Sequence, residues 1–406
     1  MKMTFKLFKV HYKWVFPFLV LFLFTSCERQ KKISNSLSDH EIETINIPEK
    51  REKIPQFDEF IKNIDIIGLE SKEASLFNNI DQLIYHKDKF YIHDLALQEV
   101  FVFNTSGDFL FKLNKRGRGP EEYLELRDFE VDEEGNIHIL SHNHIMIFGK
   151  EGSFLKKIPF SLPRNYHINP TQFALTDKGG YYLWSGSLGI KEDISGQYAI
   201  YKIDRLGKFT GNAYFPVRHQ ILSGPRFSTT GIDYDYTMLP ITGCDTVYRF
   251  LSDKVHPAYY LNFGKRKLPS YYLSEFSNGI KLNDAFQNTQ YVTGIVGLTE
   301  TPTHLFFLEK SAKSLWVNIY SKGTQKIVSF DGLANQMYFP IIKGGMGDNT
   351  FIGIIDTFKL IESKNNGDMK RFFGFLKNYK ELESKINTLK INDNQTILIL
   401  RINENF

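Results

Sequence analysis

The chain has 406 residues, 42% hydrophobic and 15% aromatic, with a formal charge of +4 and two cysteines. That length suffices for a large core or two domains. Lys2, Lys6, Lys9 and Lys13 all precede the first acidic residue, so the remainder is neutral overall and lacks the Lys/Arg excess that a nucleic-acid partner requires.

In chain order, residues 1–26 read first as a signal peptide. A basic start leads into the apolar run Val15–Phe24. That run is too short to cross a bilayer, which takes about 20 residues, but it suits a signal core. Leu23-Phe24-Thr25-Ser26-Cys27 resembles the lipobox of bacterial lipoproteins. The resemblance implies a lipid on the Cys27 thiol and cleavage before it. Cys244 is then the one remaining cysteine, so no intramolecular disulfide is expected and a buried thiol is. Residues 27–53 carry the lipidated Cys27 and a polar, charged stretch expected to be a flexible tether. Residues 54–406 are expected to form the folded domain.

A repeat organises that domain. Ile80–Tyr85, Lys89–His93, Val100–Phe103 and Phe109–Leu113 make one unit. Arg127–Val131, Asn136–Leu140, His144–Phe148 and Phe154–Ile158 make the next, and Phe103/Phe148, Gly107/Gly152 and Leu113/Ile158 are each 45 apart. Four short apolar or alternating segments per unit, joined by Gly- and Asn-bearing turns, describe antiparallel strands. Four strands at this period predict a β-propeller blade. Weaker units follow around Phe173–Thr210, Tyr236–Phe263, Tyr291–Phe330 and Tyr338–Ile402, and the last lacks one strand. Phe60–Leu69 is strand-like and has no other partner. The expected fold is all-β: a six-bladed propeller closed by pairing the N- and C-terminal strands, which leaves no open sheet edge at the closure.

Two stretches break the strand pattern. Pro269–Asn288 reads as a helical loop. Within about 358–390, apolar residues from Phe372 to Leu389 recur at spacings of three and four, which predicts an amphipathic helix inserted in the last blade. Such a helix is expected to lie across one end of the propeller.

In a propeller, the links between blades share a face with the loops joining second and third strands. The first link, Asn114–Leu124, carries Gly117, Gly119 and Pro120, which force a compact path, and presents Arg116, Arg118, Glu121, Glu122 and Tyr123. Arg118 is suited either to fork onto a carboxylate or phosphate ligand or to pair with Glu121 or Glu122. His93 and Asp94 end one second strand, and His142 and His144 stand at the equivalent place in the next blade. These His residues are the candidate metal ligands, although their spacing is not diagnostic. Arg164 and Tyr166, with Asn165 and His167, follow in the next link, and Arg218, His219 and Arg226 in the one after. No Gly-x-Ser-x-Gly, His-Glu-x-x-His, phosphate-cradling Gly-rich or Cys-x-x-Cys motif occurs.

Four features together are similar to the six-bladed propeller lipoproteins, related to NHL-repeat propellers, of gut-type Gram-negative bacteria. They are the lipobox at Cys27, Gly117–Tyr123, Cys244–Phe250 followed by Pro257–Phe263, and Asp393–Leu400. The family usually carries Asn-Pro in the last segment, whereas here Gln395 follows Asn394, a departure expected to loosen the turn. The resemblance implies fold and anchoring and brings no catalytic residues.

The expected function is that of an outer-membrane-anchored lipoprotein, on the periplasmic side, without a cofactor. It would bind a peptide, glycan or partner protein through its loop face. The alternative is a hydrolase or lyase, lactonase-like or glycan-cleaving, with a divalent metal in the central channel held by His93, Asp94 and His142. A role in outer-membrane assembly through protein contacts alone is the third reading.

Overall fold

Alternating and apolar runs of four to nine residues pair as antiparallel strands, and each resulting sheet has two apolar faces to bury. The computed structural model describes residues 42–162, 169–184, 198–216, 227–229, 236–238, 243–251, 254–275, 284–336, 339–404 and 406. Its six sheets form a six-bladed β-propeller. Blade 1 comprises Gln82–His86, Lys89–Asp94, Glu99–Asn104 and Phe109–Leu113, and blade 2 Asp128–Val131, Ile137–Ser141, His144–Phe148 and Phe154–Pro159. Blade 3 is Gln172–Leu175, Tyr181–Trp184, Tyr198–Ile203 and Phe209–Pro216. Blade 4 is Ser228–Thr229, Tyr236–Met238, Thr246–Leu251 and Lys254–Asn262, and blade 5 Gly294–Glu300, His304–Lys310, Leu315–Ser321 and Ile327–Asp331. Blade 6 is Ile341–Gly345, Thr350–Ile355 and Thr396–Ile402, with Ile61–Ile67 as its outer strand.

The ring closes as the sequence predicts. Ile64 faces Leu400 and Ile66 faces Leu398 in antiparallel register. The cores lie between blades rather than within them. Ile352, Ile354 and Ile397 of blade 6 pack with Phe90, Ile92, Phe101 and Phe103 of blade 1. Val100 and Val102 of blade 1 meet Ile139 and Met146 of blade 2, and each remaining pair of neighbours shares a cluster of the same kind. Third-to-fourth strand pairings in blades 1 to 4 carry register shifts. Such bulges raise local twist, and the twisted outer strand of one blade leans onto the next. At that contact only glycine fits: a Cβ on Gly107 would stand 2.1 Å from the Gly68 carbonyl oxygen, and one on Gly207 2.2 Å from that of Pro159.

Three features depart from the sequence reading. Residues 43–53, placed in the tether by composition, are built into the fold. Glu43–Asn46 runs parallel to the outer strand of blade 4, with Ile45 opposite Leu261. Arg51 donates to both Glu309 carboxylate oxygens and lies 4.6 Å from the Trp316 ring centroid, while Glu52 bridges to Phe330 of blade 5. Polar composition hid this because the segment buries few apolar side chains and is held by backbone pairing and one ion-pair cluster. Second, the innermost strand of blade 4, Ser228–Thr229, has only two residues and no apolar run to announce it.

Third, the insert comprises three helices, Thr357–Asn365, Asp368–Phe373 and Tyr379–Thr388, between the second and third strands of blade 6. They pack against the outer strand. Leu382 and Ile386 join Ile64 and Ile66 in one cluster, Asn378 Nδ2 donates to the Ile64 carbonyl at 2.8 Å, and Lys385 pairs with Asp65. An amphipathic helix buries its stripe where an apolar sheet edge is available, and here that place is the rim. The insert therefore covers the edge of the closing strand rather than crossing an end of the ring.

Candidate functional site

The Asn114–Leu124 link is folded tightly on itself. Tyr123 N donates to the Lys115 carbonyl and Gly117 N to the Tyr123 carbonyl, drawing the two limbs together. The Glu122 carboxylate lies over Gly117, where a Cβ would stand 1.9 Å from its Oε2, and the same oxygen accepts from Gly119 N at 2.8 Å. Glu122 thus holds backbone rather than either arginine, which corrects the expected pairing with Arg118. Arg116, Arg118 and Glu121 are exposed, and neither arginine forms a salt bridge among the described residues.

Tyr123, expected at the mouth of the site, belongs to the core. It is fully buried against blades 1 and 2, and its hydroxyl donates to the Gln98 carbonyl at 2.8 Å. Burial pushes its phenol up to about 12. An aromatic residue next to two carboxylates read as surface in the sequence; in the fold it is the peg that fastens the loop.

The other candidates are likewise occupied with structure. Asp94 is fully buried and accepts from Asn78 N and Asn79 N through Oδ2 and from Leu97 N through Oδ1. It ties the loop after its own strand to the link arriving from blade 6. His93 is also fully buried, its ring edge-on to Phe129. His142 is exposed in a left-handed conformation, with Nδ1 3.3 Å from Arg127 and 3.6 Å from Glu125. His144 is buried, and burial, reinforced by Lys157 and His142, lowers it to about 4. The fold does not gather His93, Asp94, His142 and His144. Among the described residues no three His, Cys, Asp or Glu side chains converge as metal ligands. Arg164, Asn165, Tyr166, His167, Arg218, His219 and Arg226 lie outside the described residues.

Several polar residues that the sequence did not single out stitch neighbouring blades. Gln82 Nε2 donates to the Phe129 carbonyl, Phe173 N donates to Asp128 Oδ2, and Lys343 Nζ donates to the Asp81 carbonyl. His138 bridges Asp132 and the Tyr181 hydroxyl at 3.1 and 3.0 Å. Hydrogen bonds from His138 and Asn136 outweigh burial and hold Asp132 down at about 2. Glu300 is buried between Arg249, Lys322 and Tyr259. The bonds of Gln82, Asp128 and Lys343, the His138–Tyr181 contact and the Arg249 and Tyr259 contacts of Glu300 reach between neighbouring blades, whereas His138–Asp132 and Glu300–Lys322 lie within one blade, and no local pattern marks them.

Gln395 also reverses an expectation. It accepts from Ile80 N and donates to Asp356, and Asn394 accepts from Phe77 N while donating to the Glu70 and Ser75 carbonyls. Gln395 therefore fastens the link between blades 6 and 1 rather than loosening it. Cys244 donates to the Thr246 carbonyl and burial pushes its thiol up to about 12, as expected of a structural cysteine. Beside it, Asp245 and Lys267 pair at 2.6 Å over a small cavity lined by Phe263, Leu268 and Val292. Chemically, the described part of this face presents the exposed cations Arg116 and Arg118 and the exposed His142 beside Glu125 and Arg127.

Known proteins agree with this architecture. A family model described as a domain of unknown function (DUF4934) matches residues 42–401, and the chain belongs to that family. A putative exported protein from Bacteroides fragilis superposes with a TM-score of 0.72 at 18% identity, over 89% of this chain and 100% of that one. A member of the DUF4221 family from Bacteroides vulgatus gives 0.50 at 12% identity, over 84% and 98%. At these identities the likeness is one of fold. No curated protein matches, and among the described residues no helix is long and apolar enough to cross a membrane.

Proposed function

We propose that this propeller is a lipoprotein of the NHL-like type, anchored to the outer membrane through Cys27 on the periplasmic side. There it would act as a binding module for a peptide, glycan or partner protein. The observation that carries the binding role is the Asn114–Leu124 link. Its backbone is fixed by Tyr123 and Glu122, while Arg116 and Arg118 remain exposed without a salt bridge among the described residues. A rigid loop loses little entropy on binding, and guanidinium forks suit carboxylate or phosphate groups. The ligand is accordingly one with acidic groups. The lipobox-like Leu23–Cys27 and the export described for the Bacteroides fragilis neighbour support the location.

The test is crosslinking and affinity capture from outer-membrane extracts with wild type and an Arg116→Ala/Arg118→Ala double variant. Recovery of one partner by wild type and its loss in the variant, at unchanged melting temperature, is expected. Equal recovery by both would refute the assignment. Separately, labelled palmitate is expected to be incorporated into wild type and not into a Cys27→Ala chain.

A further inference from the structure

The helical insert has a second face. Its inner side is committed to the rim through Leu360, Met369, Phe373, Leu376, Leu382 and Ile386, all buried. The outer side is basic. Residues 357–390 carry eight Lys/Arg and four Asp/Glu, and the stretch Met369–Lys380 contains no acid at all. Lys370, Arg371, Lys377 and Lys380 in that stretch are exposed and form no salt bridge among the described residues. Between them stands Phe375, 43% exposed, while Phe358 at the start of the insert and Ile391 just after it are 46% and 66% exposed. Arg371 lies 5.0 Å from the Phe372 ring centroid.

Exposed aromatic and aliphatic side chains cost little singly. Set among unpaired cations, they match the interface of an anionic bilayer, where rings enter the headgroup boundary and cations meet phosphates. We propose that the Met369–Lys380 surface docks on an anionic lipid surface. This goes beyond the ligand face around Arg118 and rests on the proposed anchoring only for access to a membrane. The charge complementarity is local: the insert has an excess of four positive charges, so the attraction would orient the propeller with blade 6 toward the lipid.

The experiment uses the full chain carrying Cys27→Ala. It is mixed with vesicles of phosphatidylcholine alone, or with about one third phosphatidylglycerol. The apolar run Val15–Phe24 and the four lysines before it would add binding of their own, so the readout is the part of the difference between the two vesicle types that is lost when the insert is altered. Partitioning onto the anionic vesicles is expected to be at least about tenfold stronger and to fall with added salt. Replacing Lys370, Arg371, Lys377 and Lys380 together by Gln is expected to reduce the difference to what Lys2, Lys6, Lys9 and Lys13 sustain, and Phe375→Ser to reduce it in part, with melting temperatures unchanged. Equal partitioning onto both vesicles, or an unaltered difference in the four-fold variant, overturns the proposal. Retention on a soluble polyanion without vesicle binding also overturns it. Incorporation of labelled palmitate into wild type and its loss in Cys27→Ala tests the anchor alone, so the two readings fail separately.

Discussion

Acid should destabilise this propeller in two separate pH windows, and His304 sets the first. Its side chain is fully buried, its ring lies parallel to Phe406 with centroids 5.5 Å apart, and Nδ1 is 2.8 Å from Thr303 Oγ1. Burial, with Lys322 nearby, lowers its pKa from 6.5 to about 4. The fold therefore favours the neutral ring. As pH falls below 6.5 the unfolded chain takes up a proton that the native state resists, so stability is complete above 6.5 and declines until about pH 4. At about 1.4 kcal/mol per pKa unit, this drop reaches up to about 3 kcal/mol. His144, likewise lowered by burial to about 4, adds to the loss in the same window. Asp132 acts in the same direction at lower pH. Its folded pKa of about 2 lies below its ordinary 3.8, so its contribution is present above 3.8 and disappears as pH falls toward 2. The assay is urea unfolding at a series of pH values from 7 to 3 with wild type and His304→Phe, which keeps a flat ring against Phe406. The variant is expected to lose stability at pH 7, with the Thr303 contact gone, but to show a shallower decline between 6.5 and 4. An identical slope in the two proteins, or a flat wild-type profile across that range, would refute the reasoning.

Two further outcomes test the packing between blades. Gly107→Ala introduces a Cβ 2.1 Å from a carbonyl oxygen at φ +89, and should cost about 2–4 kcal/mol in urea titration. Gly211→Ala, at φ +88 with nothing within 4 Å, should cost only about 1–2 kcal/mol; equal losses would show that close approach is not the reason for Gly107. Tyr123→Phe removes the hydroxyl that donates to the Gln98 carbonyl and should destabilise by about 1–2 kcal/mol. It should also raise hydrogen exchange at Lys115 and Gly117, and unchanged exchange there would mean that the backbone holds the loop unaided.

The sequence by itself determined the repeat, the closure and the existence of the insert. Strands are written locally: alternation in Phe109–Leu113 or Ile61–Ile67 states which face is buried, and a fixed period states how many copies stack. It determined equally that Gly117 and Gly119 make the first link compact, and that Arg116 and Arg118 stand on it. Only tertiary structure decided what the remaining polar residues are for. His93 and Asp94 look like the mouth of a channel until Asp94 is seen to hold three backbone amides of two different loops. Tyr123 looks like a ligand contact until the adjoining blades enclose it. Glu43–Asn46 offers a single apolar residue, Ile45, too little to advertise a strand, and its partner is the unpaired backbone edge of Lys254–Asn262, more than 200 residues away. A sequence records apolar periodicity position by position. The pairing of a backbone edge, the burial of a carboxylate and the meeting of three helices with a rim exist only once distant segments are brought together, since each depends on the group that arrives opposite.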